Sequence, residues 1–348
     1  MGRKLKAVVV VGARPNFMKA APLIKAMEAA ARFEPMLLHT GQHYDVLMSD
    51  AFFRDLDLPA PHISLGIGSG TQAEQTAKIM LALEPPLAGT GEGDRPDLVI
   101  VVGDVNSTLA ATLTAKKLHI PVAHVEAGLR SFDERMPEEI NRVLTDHISD
   151  LLFTTEPAGN ENLRREGVSP AKIHYVGNVM IDTLLANQSK IAASPILQQL
   201  DLAPGAYGVL TLHRPSNVDN RDSLKRIYDA IAQVSRDIPI IFPIHPRTRK
   251  QLDAFNLLSG TADARLRLIE PLGYLDFMRL VGSAKLVLTD SGGLQEETTV
   301  LGVPCLTLRA TTERPITVEL GTNVVVGDDP ARIIVEASRI LAGEGKRG

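Results

Sequence analysis

The chain has 348 residues, of which 44% are hydrophobic and 22% are charged, and its formal net charge is -4 at pH 7. This length favours two domains, and so small a net charge does not favour a nucleic-acid or membrane partner. The single cysteine, Cys305, excludes a disulfide within the chain. The apolar run 7–11 is too short for a signal peptide, and no later run reaches the roughly 18 residues of a membrane span, so we predict a cytoplasmic protein.

Short apolar segments typical of strands recur along the whole chain. They are rich in Val, Ile and Leu without polar alternation, as expected of parallel strands covered on both faces. Eleven segments have this character: 7–12, 35–41, 97–104, 122–128, 151–156, 173–178, 208–214, 238–246, 284–293, 303–310 and 323–327. Stretches with helical spacing lie between many of them. This alternation predicts an α/β protein with parallel sheets.

Eleven strands are too many for one comfortable doubly wound sheet. We therefore predict two Rossmann-like domains whose sheets face each other across a cleft. The break is expected near 177–190, after the sixth strand, which gives an N-terminal domain over 1–176 and a C-terminal domain over 177–348. The stretch 84–94 is rich in Pro and Gly and is predicted to be a loop.

Carboxylates cluster after the predicted strands of the first half, where ligands bind in parallel α/β sheets. Asp104, Glu126 and Glu138 come from three different segments. Carboxylates held close together push their pKa values apart, which creates an acid and a base in one site. Glu138 and Arg142 are four residues apart on a predicted helix, so a surface ion pair would explain them equally well.

The second half carries the residues of an anion site. The stretch DSGGLQEE places Ser291, Gly292 and Gly293 before a helical segment, and free N–H groups at a helix N-terminus bind phosphate. His213 follows one predicted strand and Arg314 another. A Gly-rich turn with a serine cap, together with arginines on a surface loop, is the alternative interpretation of the same residues.

The first predicted strand is followed by two cations, Arg14 and Lys19. The strand ends in GARPNF, which lacks the G-x-G-x-x-G fingerprint of dinucleotide-binding domains. We therefore predict no bound NAD, and no other cofactor or metal site is indicated.

Nine stretches together resemble the non-hydrolysing UDP-N-acetylglucosamine 2-epimerases. They are GARPNFMKAAPL (12–23), HTGQHYD (39–45), GDVNSTLA (103–110), HVEAGLRS (124–131), MPEEINR (136–142), VGNVMIDTL (176–184), LHRPSN (212–217), DSGGLQEE (290–297) and TTERP (311–315). Each is modest alone, but the ordered set is specific and covers nearly the whole chain. The resemblance implies the GT-B architecture, a UDP-sugar substrate bound mainly by its nucleotide to the C-terminal domain, a homodimer and a role in polysaccharide biosynthesis.

The resemblance also implies a role for individual residues. The acid–base carboxylates are Asp104, Glu126 and Glu138, and a catalytic histidine at the diphosphate is His213. The uracil is held at Leu272 and Phe277, the diphosphate at Ser291, Gly292 and Gly293, and the ribose at Glu297. The remaining substrate contacts are Arg14, Lys19, Arg142 and Arg314.

Epimerisation at C2 of the sugar constrains the chemistry, because the C2 proton is not next to a carbonyl group. Without a dinucleotide fingerprint, transient oxidation at C3 is disfavoured. The favoured route removes the C2 proton while UDP leaves, which gives a glycal, and then re-adds UDP after protonation of the opposite face. Whether Glu126 or Asp104 removes the proton stays open. The alternative functions are 2-epimerisation of UDP-2,3-diacetamido-glucuronate, GT-B glycosyl transfer, and non-catalytic sensing of a UDP-sugar.

Overall fold

The structure is a computed structural model that describes residues 3–42, 55–89, 91, 93–258 and 265–348; the side chain of Arg14 lies outside the described part. The chain forms two compact units, Met1–Leu185 and Ala186–Gly348. They divide within the stretch 177–190. The finer boundary after residue 176 stays a prediction, as does the cleft. Within the described ranges, no helix has both the length and the apolar character needed to cross a membrane.

The first unit is built on a seven-stranded parallel sheet. Its strands are β1 (Leu5–Val11), β2 (Phe33–His39), β3 (Ile63–Ser64), β4 (Leu98–Val102), β5 (Val122–Ala127), β6 (Leu151–Thr154) and β7 (Ile173–Tyr175). The helices within its described ranges are α1 (Arg14–Ala29), α2 (Gln72–Ala88), α3 (Asn106–Lys117), α4 (Pro137–Ile148), α5 (Pro157–Arg165) and α6 (Val179–Ala186), the last of which crosses the division between the units. The strand order is β3-β2-β1-β4-β5-β6-β7. Val8, Val99 and Val122 pack with Ile79 and Leu83 of α2 in the core on one face.

The second unit contains a six-stranded parallel sheet. Its strands are β8 (Gly208–Thr211), β9 (Ile240–Pro243), β10 (Leu266–Ile269), β11 (Leu286–Thr289), β12 (Cys305–Thr307) and β13 (Asn323–Val325). Its helices are α7 (Gln188–Ala192), α8 (Ile196–Gln199), α9 (Pro215–Val218), α10 (Arg221–Val234), α11 (Pro246–Ala254), α12 (Tyr274–Gly282), α13 (Gly292–Leu301), α14 (Pro315–Glu319) and α15 (Pro330–Leu341). The order is β10-β9-β8-β11-β12-β13. Ile227 and Ile231 of α10 pack on Leu210, Phe242 and Leu288 of the sheet.

Both sheets reverse their strand order at one place, between β1 and β4 in the first and between β8 and β11 in the second. In open α/β sheets, ligands bind beyond the carboxyl ends of the strands at such a switch point. Three predicted site residues each lie two residues beyond a switch-point strand: Asp104 after β4, His213 after β8 and Ser291 after β11. The topology therefore gives each unit its own candidate ligand-binding edge.

All eleven predicted strands are present, so the predicted α/β fold with parallel sheets is confirmed. Two strands were not predicted from the sequence: β3, which has two residues, and β10, a partly exposed edge strand with a mixed polar pattern. The loop predicted over 84–94 was wrong at its start, because α2 continues through Pro85 and Pro86 to Ala88. Leu83 and Leu87 are fully buried on this turn, and their packing keeps the helix intact.

Candidate active site

Glu126 and Lys19 form a buried ion pair at the carboxyl edge of the first sheet. The Lys19 Nζ donates to Glu126 Oε1 at 2.7 Å, and the two side chains are 6% and 3% exposed. Lys19 comes from α1 and Glu126 is the next-to-last residue of β5. A buried charge is tolerated when an opposite charge and hydrogen bonds compensate its desolvation. The structure thus brings together two predicted site residues that lie 107 positions apart in the sequence.

The backbone of Glu126 is in a conformation that L-residues rarely adopt. Its φ is +73°, and the register between β5 and β6 shifts between Val125 and Ala127, so Glu126 is the extra residue of a β-bulge. A non-glycine residue in this region costs on the order of 1–3 kcal/mol and persists only where the surroundings fix it. Bulges of this kind re-aim a side chain, and they are over-represented next to active sites.

Asp104 lies beside this ion pair and has its own cation. Arg142 of α4 donates to the Asp104 carboxylate, and the Asn141 side chain donates to the Asp104 carbonyl at 2.9 Å. The preceding residue, Gly103, has a φ of +68°, and a Cβ there would lie 2.9 Å from Lys19 Nζ and 3.9 Å from Glu126 Oε1. Gly103 is therefore the place where the Asp104 segment passes close to the Lys19–Glu126 pair.

Glu138 lies in the first turn of α4, partly buried, and forms no hydrogen bond or ion pair with any other described residue. The alternative interpretation, an ion pair between Glu138 and Arg142, is not formed. Arg142 instead binds Asp104 and Glu139, the latter at 2.7 Å. Glu139 was not predicted from the sequence, and its carboxylate also accepts from the backbone N–H and the hydroxyl group of Ser131.

In the second unit, Asp290 binds the backbone at the switch point between β8 and β11. Its carboxylate is fully buried and accepts from the backbone N–H of His213 at 3.0 Å and of Arg214 at 2.9 Å. The Nδ1 of His213 lies 2.9 Å from Asp290 Oδ1. Burial alone would raise the pKa of Asp290, but His213 and the two backbone N–H groups together hold it below the ordinary value. Asp290 therefore fixes the ring of His213 by one nitrogen, and the sequence analysis had not assigned it a role.

The serine–glycine stretch begins α13 as predicted. Ser291 is the N-cap, with Gly292 and Gly293 as the first helical residues. The Ser291 side chain makes no capping hydrogen bond, so the alternative of a serine cap does not describe this residue. A Cβ on Gly292 would lie 2.5 Å from Glu313 Oε1, so a larger residue there would have to displace the Glu313 carboxylate. The N–H groups at this helix end are the kind of donors that bind phosphate.

Buried arginine–carboxylate pairs surround the start of α13. Arg314 lies 3.0 Å from Glu296, and Arg309 lies 2.7 Å from Glu313. Arg214 lies 3.6 Å from the same Glu313 carboxylate. Arg314 was predicted from the sequence. Glu313 was not, although it lies next to Arg314 in the TTERP stretch.

Glu297 lies on α13, 4% exposed, and accepts from the Tyr274 hydroxyl at 3.2 Å. The pKa of Glu297 is raised to about 8, mainly by burial; the Tyr274 hydrogen bond lowers it and the neighbouring Glu296 carboxylate raises it. Leu272 and Phe277, predicted at the uracil, flank Tyr274 around the start of α12 and are partly buried. Within the described residues, no group of three or more His, Cys, Asp or Glu side chains could hold a metal ion.

We expect Glu297→Gln to change stability and nucleotide binding in opposite directions. The folded chain retains a proton on Glu297 up to about pH 8, against an ordinary pKa of 4.5. The associated stability is complete below pH 4.5 and is lost as pH rises through about 8, with a slope of about -1.4 kcal/mol per pH unit. Gln stays neutral, so urea unfolding should show the variant matching the wild type at pH 4.5 and exceeding it at pH 9.

Calorimetric titration with UDP provides the second half of this test. At pH 9, where Glu297 is ionised, we expect about tenfold weaker binding, because an amide replaces a carboxylate as acceptor for a ligand hydroxyl. Glu270→Gln is the control, since the Glu270 side chain is 86% exposed. A pH dependence of unfolding that is identical in wild type and Glu297→Gln would contradict the raised pKa.

The comparison with known proteins decides the family. The profile of UDP-N-acetylglucosamine 2-epimerase matches residues 25–347. The chain belongs to the UDP-N-acetylglucosamine 2-epimerase family. The resemblance found in the sequence is thereby confirmed, and so is the predicted class of enzyme, an isomerase. The individual roles of the site residues stay predictions.

Three similar proteins place the chain within this family. A UDP-N-acetylglucosamine 2-epimerase of Methanocaldococcus jannaschii is 46% identical over 336 residues, which are 95% of this chain and 90% of that protein. A UDP-2,3-diacetamido-2,3-dideoxy-D-glucuronate 2-epimerase of Pseudomonas aeruginosa is 41% identical over 345 residues, 98% of this chain and 93% of that protein. The crystal structure of the M. jannaschii UDP-GlcNAc 2-epimerase in complex with UDP-GlcNAc and UDP has a TM-score of 0.91 at 46% identity, and covers 99% of this chain and 94% of that one.

Proposed function

We propose that the protein interconverts UDP-GlcNAc and UDP-ManNAc by epimerisation at C2. The observation that carries this proposal is the pair of carboxylates at one sheet edge, Glu126 and Asp104, each bound to its own cation. The 46% identity to an epimerase crystallised with UDP-GlcNAc and UDP supports the choice of substrate.

In the proposed reaction, one carboxylate removes the C2 proton while the C1–O bond to UDP breaks, which leaves a glycal and UDP. A second group then delivers a proton to the opposite face of C2 as the UDP oxygen re-adds to C1. The contacts support Glu126 and Asp104 as the groups that accept a proton, because each already has a cation that favours its ionised form. In each direction of the reaction, the carboxylate of this pair that does not remove the proton donates to C2, and Glu138, which has no such partner among the described residues, is a third candidate for the donor.

The residues of the second unit would hold the nucleotide. The N–H groups at the start of α13 and the ring of His213 would bind the diphosphate, which accumulates negative charge as it departs. Glu297 would accept from a ribose hydroxyl, and Leu272 and Phe277 would contact the uracil. Arg14, Lys19, Arg142 and Arg314 complete the proposed set of substrate contacts; for Arg14 this rests on the sequence resemblance alone.

Proton NMR of UDP-GlcNAc incubated with the purified protein in D2O tests the proposal. We expect the H2 signal to disappear through exchange with solvent while UDP-ManNAc resonances appear. UDP-ManNAc that retained its proton at C2 would exclude the elimination route. Intact UDP-GlcNAc, with binding shown separately by calorimetry, would contradict the proposed activity on this sugar.

The second candidate is 2-epimerisation of UDP-2,3-diacetamido-glucuronate, which the 41% identity to the P. aeruginosa enzyme favours. Its C6 carboxylate would need a cation that the C6 hydroxyl of UDP-GlcNAc does not. A higher kcat/KM on the glucuronate would identify it as the substrate. We also propose a cytoplasmic homodimer that acts in polysaccharide biosynthesis, and light scattering of the purified chain tests the oligomeric state.

A further inference from the structure

A second polar cluster lies beneath the proposed acid–base residues, and the reaction described above does not use it. Its centre is His124 on β5, fully buried. The Nδ1 of His124 lies 2.7 Å from Asp146 Oδ1, and its Nε2 lies 2.8 Å from the carbonyl oxygen of Gly103. Asp146 comes from α4 and Gly103 immediately precedes Asp104. The histidine thus joins the interior of α4 to the segment that presents Asp104.

The hydrogen bonds determine how many protons the ring carries. A carbonyl oxygen can only accept, so the Nε2 that faces Gly103 bears a hydrogen. The other nitrogen faces the Asp146 carboxylate, which also accepts from Arg130 Nη1 at 2.7 Å and from the Gly128 N–H at 3.0 Å. Burial alone would raise the pKa of Asp146, but His124 and Arg130 together hold it below the ordinary value. The Arg130 guanidinium favours an ionised Asp146, which can only accept, so the geometry calls for a hydrogen on Nδ1 as well as on Nε2.

The same contacts fix the backbone near Glu126 at two points, one on its own segment and one on the segment after β4. Asp146 binds the Gly128 N–H, and His124 binds the Gly103 carbonyl. Glu126 has a φ of +73°, a conformation that a non-glycine residue keeps only with external support, whereas Gly103 and Gly128, at +68° and +81°, adopt theirs without strain. A neutral histidine could donate to only one of its two acceptors.

We propose that His124 is a fixed imidazolium that positions the Glu126 bulge and the Asp104 segment, and whose charge favours the ionised carboxylates of the acid–base site. This inference rests on the proposed function, because it takes Asp104 and Glu126 as the reacting groups. His124 is a positioning residue, since it is buried under the backbone and acts through its neighbours.

The charged groups around the histidine come from every neighbouring element. α4 contributes Asp146, and the segment after β5 contributes Arg130, which also binds Glu166 at the end of α5. At the strand end the reacting carboxylates face Lys19 from α1 and Arg142 from α4. The positive charges of Arg130 and His124 are balanced by the negative charges of Asp146 and Glu166. Removing the imidazolium therefore leaves this cluster one negative charge in excess, close to the reacting carboxylates.

The first experiment reads the charge of the ring directly and needs no activity. The full chain is labelled with 15N-histidine, and the signals of its nine histidines are recorded between pH 6.5 and 8.5, with His124→Gln used for assignment. We expect both His124 ring nitrogens to keep imidazolium shifts, with their hydrogens protected from solvent, across this range. A neutral tautomer at pH 7 would overturn the proposal even if the protein were an active epimerase.

The second experiment compares kcat, KM and pH profile for His124→Gln and wild type. A glutamine can donate to Gly103 or to Asp146 but carries no charge. We expect kcat to fall about 10- to 100-fold, KM to change less than about threefold, and the acidic limb of the kcat profile to move up by about half a unit to one pH unit. If kcat fell but the acidic limb of its pH profile did not move, His124 would contribute only packing, and the proposal would be overturned. His174→Gln, at an exposed position on β7, is the control.

Discussion

Replacing Glu126 by Gln is expected to lower kcat by about three orders of magnitude, the middle of the range for loss of a positioned acid or base. Gln has the same length and keeps an oxygen for the Lys19 Nζ, but it cannot accept the C2 proton. Asp104→Asn is expected to lower kcat by a similar factor, because the amide loses its charge beside Arg142. Initial rates of UDP-ManNAc formation from UDP-GlcNAc measure both effects.

Exchange at C2 in D2O then separates the two carboxylates. The variant that lacks the first base should neither release UDP nor exchange H2. The variant that lacks only the second group should still reach the glycal, which accumulates with free UDP. Glu134→Gln is the matched control, because Glu134 is an exposed carboxylate in the same charged stretch. Wild-type rates in both variants would remove Glu126 and Asp104 from the mechanism.

Thermal unfolding of the same variants shows whether a loss of activity is caused by a loss of stability. Glu126→Gln leaves Lys19 buried without a full counter-charge, and the loss of one partner of a buried pair costs about 3–5 kcal/mol. The double variant Lys19→Met with Glu126→Gln should recover part of that loss, because it leaves no buried charge in the pair. A double-mutant cycle therefore reports the coupling between the two side chains independently of turnover.

The sequence predicted the sheets well because their strands are buried on both faces and consist almost entirely of aliphatic residues. Their own apolar segments are enough to assign Val8, Val99 and Leu288 to the core, without knowledge of the neighbouring strands. The same reasoning predicted the candidate site, because the polar residues that interrupt such runs fall at the carboxyl ends of the strands. The strand β10 was missed since its side chains, at a sheet edge, are mostly only partly buried.

The helix α4 shows what the sequence could not give. Glu139, Arg142 and Asp146 lie at helical spacing on one face, which pattern reasoning assigns to solvent, yet they are 4%, 3% and 1% exposed. Ile140 and Leu144, which the same reasoning would bury, are 50% and 47% exposed. The charged face of α4 is buried and its apolar face is exposed, because the charged side chains pair with residues from distant segments. Those pairings cannot be predicted from residue spacing along the helix. The closeness of this charged stripe to Glu126 in the sequence is a signal that could have suggested them.

Asp290→Asn is the prediction with the largest expected effect in the second unit. Asp290 accepts from the backbone N–H groups of His213 and Arg214 and from the Asn217 side chain, and it lies against the His213 ring. An amide must turn one N–H toward some of these donors, which leaves at least one of them buried and unsatisfied. We expect a loss of about 2–4 kcal/mol of unfolding free energy in urea at pH 7, and UDP binding at least tenfold weaker by calorimetry.

The pH dependence distinguishes this loss from a general disturbance of the fold. The folded pKa of Asp290 lies below its ordinary value of 3.8, so its stabilising contribution is present above that pH and disappears as pH falls through the lower folded value. The stability difference between wild type and Asp290→Asn should therefore shrink in acid. Asp229→Asn, which removes an exposed partner of Lys225, should cost less than about 1 kcal/mol at any pH. A constant deficit down to acid pH would show that Asp290 acts through shape alone, whereas a shrinking one shows that the ionised carboxylate, held against His213, carries the stability.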